Sequence, residues 1–108
     1  MPLETNKGLL VIQQQLKELD LILRDTLDTL NTVAGMERVA KWRVRTIALL
    51  NDTVGPETGR EFSKVQPGPS FTNDLVEEFT EFIDTFKIPL TALSKRVAAS
   101  PSTPPGGG

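Results

Sequence analysis

Leu9, Leu16, Leu23 and Leu30 recur every seven residues, and Ile12, Leu19, Thr26 and Val33 fill the alternate slot at the same interval. A pattern of apolar a and d positions held this long predicts an amphipathic helix over about residues 5 to 33. Ile22 and Leu27 widen the stripe toward the broad apolar face of a bundle helix. Asp20 with Arg24, and Arg24 with Asp28, stand four apart on the outer face, where such pairs add a few tenths of a kcal/mol. Gly35 supplies the stop.

A second helix is predicted over about residues 36 to 51. Its stripe is Met36, Ala40, Val44, Ile47 and Leu50, with Trp42 off it. Arg38, Lys41 and Arg45 share another face, and Arg43 stands apart from them. Asn51, Asp52 and Gly55 end this helix. Pro56 then suits the first turn of a short helix through Val65, because its missing N–H has no partner to lose there. Gly59 weakens that piece, and Phe62 and Val65 pin it to the core. Gln66-Pro67-Gly68-Pro69 breaks the chain.

The last helix is predicted over about residues 73 to 98, with Thr72 as N-cap and Phe71 stapled onto Val76. Leu75, Phe79, Phe82, Phe86 and Leu93 line one seam. Val76, Ile83, Leu90 and Val97 line an adjacent one. Asp74, Glu77 and Glu78 at its start and Lys95 and Arg96 at its end suit the helix dipole. Pro89 removes a hydrogen bond and crowds the Thr85 carbonyl, so a kink or short break is expected between Thr85 and Pro89. The elements together predict an all-α fold, an antiparallel bundle of three long helices plus one short connecting helix. The bundle occupies residues 1–98, and 99–108 is a flexible Pro/Gly/Ser linker or tail.

Composition narrows the chemistry. The chain has no histidine and no cysteine, which removes His-based triads, His and thiolate metal sites, disulfides and thiol nucleophiles. A net charge of −2 excludes a strongly basic nucleic-acid binder. Gly55 to Arg60 resembles a phosphate loop only superficially, since it lacks the Gly-Lys-Ser/Thr ending and a preceding strand. No nucleophile is paired with a base and an orienting group, so no enzyme, cofactor or small-molecule substrate is expected. There is no signal-peptide pattern and no apolar run near the ~20 residues that span a membrane, and the expected compartment is the cytoplasm.

Four features could still carry a function. Arg38, Lys41, Arg43 and Arg45 could contact nucleic-acid phosphates, with Trp42 stacking on a base. The intramolecular alternative sets this basic helix against the acidic first half of the last one, from Asp74 through Asp84. Glu77, Glu81 and Asp84 share a face and read as solvated carboxylates rather than a metal site. Trp42 is either an interface anchor or a bundle residue closing the end of a core. Leu10, Val11, Leu21, Leu49 and Ile88 fall outside the seams; clustered, they would make a contact patch for a protein partner or a second copy. The candidate partner-binding residues are therefore Trp42, Leu10, Leu21, Leu49 and Ile88.

The stretch KWRVRTIALLNDTVGPETGREFSKV, residues 41–65, resembles part of the helical N-terminal domain of bacterial proteins that carry a TIR or nucleotide-binding effector domain downstream. The resemblance rests on Trp42, Arg43, Thr46, Leu49, Leu50, Gly55 and Phe62; Val54 stands where that family usually has Phe. It implies an accessory domain that recognises a trigger or oligomerises an effector, in antiphage defence, and it supplies no catalytic residues. The favoured expectation is a non-enzymatic interaction or oligomerisation module. Nucleic-acid binding through residues 36–51 is the alternative.

Overall fold

Described here are residues 3–99 of a computed structural model, with side chains from residue 7 onward. They form four α-helices and no strand: α1 Leu3–Thr29, α2 Thr32–Thr53, α3 Pro56–Ser63 and α4 Leu75–Ala99. The expected linker lies, from Ser100 on, outside the described residues; Ala99 belongs to α4.

The first difference from expectation is where α1 stops. It ends at Thr29, because Leu30 adopts φ 58° and donates its N–H to the Thr26 carbonyl at 2.7 Å. A left-handed residue of this kind closes a helix, although it is usually Gly or Asn. Asn31 then caps α2, its Oδ1 accepting from the Ala34 N–H at 3.2 Å. Gly35, the expected stop, lies inside α2 and is buried. A Cβ there would collide with the Thr26 side chain and come within 2.9 Å of Phe79 Cζ. Glycine is what lets α1, α2 and α4 converge at that point.

The buried face of α1 runs through Ile12, Gln15, Leu19, Ile22 and Thr26, with Gly8 on the same side. Leu9, Leu16 and Leu23 flank it half-buried, and Leu30 is exposed. In α2 the buried set is Gly35, Val39, Trp42, Thr46 and Leu50. The expected stripe is thus displaced: Met36 and Val44 face outward, and Trp42 is wholly buried. Contacts advance along α2 as they retreat along α1. Arg38 meets Asp25, Arg45 meets Glu18, and the Thr53 carbonyl lies against Gly8.

Gly55 takes φ 152°, a conformation side chains rarely adopt, and Pro56 opens α3 as expected. The backbone of α3 comes so close to α2 at Gly59 that a Cβ would collide with the Asn51 amide and meet the Ile47 carbonyl at 3.1 Å. Phe62 is buried and Val65 packs on the core, as the sequence implies.

Asp74, not Thr72, caps α4: its Oδ1 accepts from the Val76 and Glu77 N–H groups at 2.8 and 3.1 Å. The Thr72 hydroxyl instead accepts from the Asp74 N–H. No staple forms, since Phe71 is 93% exposed. The helix runs unbroken through Pro89. Both expected seams merge into one buried face of Phe79, Ile83, Phe86, Leu90 and Leu93. Trp42, Phe62 and Phe86 pack edge-to-face in a triangle with centroids 5.9 to 6.3 Å apart, and Phe82 and Phe79 extend it along α4. Such pairs add about 0.5–1.5 kcal/mol each beyond their burial.

Candidate interaction surface

The sequence-predicted residues differ in exposure. Trp42 is the clearest correction: it has no exposed surface, and its Nε1 donates to the Gln15 carbonyl oxygen at 2.9 Å, so it cannot anchor a partner. Leu49 is half-buried on α2. Leu10 and Leu21 are exposed on α1, and Ile88 is exposed on α4. Gln13, Gln14, Lys17 and Asp20 are exposed between the two leucines, which interrupts any apolar continuity along α1.

The basic residues of α2 are largely engaged within the chain. Arg38 Nη1 meets Asp25 Oδ2 at 3.0 Å, and Arg45 pairs with Glu18. Both partners lie on α1, not on the acidic helix as the intramolecular alternative supposes. These pairs are half-exposed and contribute about 0–1 kcal/mol each, so they occupy the arginines more than they stabilise the fold. Arg43 turns to α3: its Nη2 donates to the Ser63 and Val65 carbonyls at 2.7 and 2.8 Å, and its guanidinium carbon lies 5.5 Å from the centre of the Phe86 ring. It thereby satisfies carbonyls at the end of a short helix, where intrahelical partners run out. Its Nε is buried without a partner. Lys41 alone of the four is exposed without an ion pair or hydrogen bond among the described residues.

Pairing of α2 with α1 leaves the acids of α4 over. Among the described residues no ion pair involves Asp74, Glu77, Glu78, Glu81 or Asp84; the one lysine of this helix that forms a bridge, Lys87, pairs with Asp20 at 3.0 Å. The dipole favours the acids of the first turn but is spent by Glu81.

Sequence reasoning missed a set of exposed apolar residues on segments that meet where Thr32, Met36, Ser70 and Leu75 line one groove. The α1–α2 turn, the start of α2, the segment before α4 and the first turn of α4 carry Leu30, Val33, Met36, Phe71, Leu75 and Val76, all exposed. Phe71 is the only one of the five phenylalanines outside the ring cluster. A groove of about 350 Å³ opens there, lined by Met36, Leu75, Phe79 and Phe82, by Pro67 to Ser70, and by Glu78 and Glu81. No basic side chain lines it. The signal for this surface was present in Phe71, an aromatic beside a Pro/Gly break, but reading it as a staple folded it inward.

No helix among the described residues is long and apolar enough to cross a membrane, and none of their acidic side chains group so as to hold a metal ion. No known protein family, curated protein or solved structure matches this chain.

Proposed function

We propose that this chain is a non-enzymatic protein-interaction or oligomerisation module, a cytoplasmic N-terminal accessory domain of a larger bacterial effector protein acting in antiphage defence. In this reading it is an antiparallel bundle of three long helices plus one short connecting helix, which the opposed run of the α1–α2 contacts supports. The observation that carries the interaction reading is Phe71, 93% exposed beside Ser70, with Leu30, Val33, Leu75 and Val76 also exposed on the segments whose Thr32, Met36, Ser70 and Leu75 line one groove. Exposed apolar residues scattered singly are ordinary; gathered around an exposed aromatic they mark a contact surface. The place in an effector protein rests on the likeness of residues 41–65 alone.

Nucleic-acid binding through α2 has less to draw on, because Arg38, Arg43 and Arg45 are engaged within the chain. The test is a photo-reactive phenylalanine analogue at position 71 of the protein in its own cells, with the same analogue at Arg24 as control. Protein adducts at 71 and not at 24 are expected. An adduct of twice the chain's mass identifies self-association, and any other mass a different protein. Equal yields at both positions overturn the reading.

A further inference from the structure

We propose that the groove between the start of α2 and the start of α4 receives a basic amphipathic helix from a partner protein, with apolar side chains against Met36, Leu75 and Phe82 and lysines or arginines against Glu78 and Glu81. This rests on the interaction reading above and names the chemistry of its partner.

Three observations carry it. The groove's lining combines apolar side chains with two carboxylates and no cation. Those carboxylates have no ion-pair partner among the described residues, and Arg38 and Arg45 of α2 pair with Asp25 and Glu18 of α1 instead. The Glu81 carboxylate accepts a 3.3 Å hydrogen bond from the Ser70 hydroxyl, a neutral partner. Positions 78 and 81 stand three apart, and so project from one side of α4 as neighbouring charges.

A second copy fits this groove poorly. A two-fold interface sets the same patch against itself, and would bring the acidic edges of both copies together. An incoming helix with apolar residues at i, i+3, i+4 and i+7 and cations beside them complements both the apolar and the acidic lining. The volume, near the lower end of the roughly 300–1,000 Å³ of ligand clefts, holds a few anchoring side chains rather than a large ligand.

The probe is a fluorescent model peptide of leucine and lysine, about four helical turns long, with leucines at that spacing, titrated with the protein; its counterpart carries glutamate in place of lysine. The lysine peptide binds and the glutamate peptide does not. Glu78→Gln with Glu81→Gln weakens binding about five- to tenfold and flattens its salt dependence. Leu75→Ser weakens it comparably, while Asp52→Asn with Glu57→Gln, which removes two acids elsewhere, leaves it unchanged. All the substituted residues are exposed, and unchanged urea midpoints confirm folding. No binding, equal loss with the control pair, or indifference to Leu75→Ser overturns the proposal. Adducts at position 71 without peptide binding would sink this proposal and leave the interaction reading standing; failure of both experiments removes both.

Discussion

The indole Nε1 of Trp42 and the main-chain carbonyl of Gln15 meet at 2.9 Å inside a core where Trp42 has no exposure. A helical carbonyl already serves its own ladder, and here it takes a second donor from the neighbouring helix. The same Gln15 offers its side-chain Oε1 to the Thr46 hydroxyl, one turn further along α2, at 2.9 Å. Two contacts between α1 and α2 thus converge on one residue. Apolar packing fills this interface in many registers; paired buried polar groups are satisfied in one.

Energetic coupling between Thr46 and Gln15 is the expected consequence. Thr46→Val alone leaves Gln15 Oε1 without its donor in the core, and is expected to cost about 1–3 kcal/mol. Gln15→Leu with Thr46→Val removes both polar partners and is expected to recover most of that loss. Urea unfolding of the wild type, both single variants and the double variant measures the coupling. A double variant no more stable than the sum of the singles would show the pair to be independent.

These polar and small core residues explain how much of the fold could be read from sequence. The four helices, the Gly55-Pro56 junction and the burial of Phe62 followed from local chemistry. So did the Ile12–Leu19–Thr26 line and most of the buried face of α4. The faces of α1 and α2 were harder. Gly35 and Thr46 sit where a pattern of apolar letters expects none, so the apolar pattern of α2 runs through Met36 and Val44 and passes Trp42 by. In α1 the leucine heptad drew attention from Gln15, and its continuation through Leu30 and Val33 hid the break before the Asn31 cap. The exposed apolar residues near the groove escape sequence reasoning for a different reason. Nothing in the local sequence says that Phe71 turns outward or that the arginines of α2 choose α1 over α4.

Gly35→Ala sets two effects against each other. Alanine at an exposed helix interior gains about 1 kcal/mol over glycine. At position 35 the added methyl would overlap the Thr26 side chain and sit 2.9 Å from Phe79, in a core with little room to relax. Overpacking of this kind costs about 1–3 kcal/mol, so the variant is expected to be less stable by about 0–2 kcal/mol net. A rise in the thermal midpoint would show that α4 moves aside freely.

Leu30→Gly is expected to move in the opposite direction. Leu30 holds φ 58°, where a side chain costs about 1–2 kcal/mol, and it is more than half exposed, so little packing is lost. Glycine gives back part of the gain as unfolded-chain entropy, for a net stabilisation of about 0.5–1 kcal/mol. The urea midpoint should rise at constant slope. An unchanged or lower midpoint would mean that the exposed leucine packs on its neighbours.

Arg43 separates a structural role from a nucleic-acid role for the basic helix. Its Nη2 bridges the Ser63 and Val65 carbonyls while the guanidinium lies against Phe86, a combination that a lysine's compact ammonium does not reproduce. Arg43→Met keeps most of the side-chain volume but leaves those carbonyls without their donor. A cost of about 1.5–3 kcal/mol is expected, with the loss centred on α3 and read as faster amide exchange from Gly59 to Val65. Arg38→Gln with Arg45→Gln, by contrast, breaks two half-exposed pairs and is expected to cost about 0–2 kcal/mol in total. If α2 were a phosphate-binding surface, both sets of variants would weaken binding of a labelled oligonucleotide and reduce its salt dependence. The expected result is weak oligonucleotide binding in the wild type, unchanged by either set, because three of the four cations are already held by Asp25, Glu18 and the end of α3.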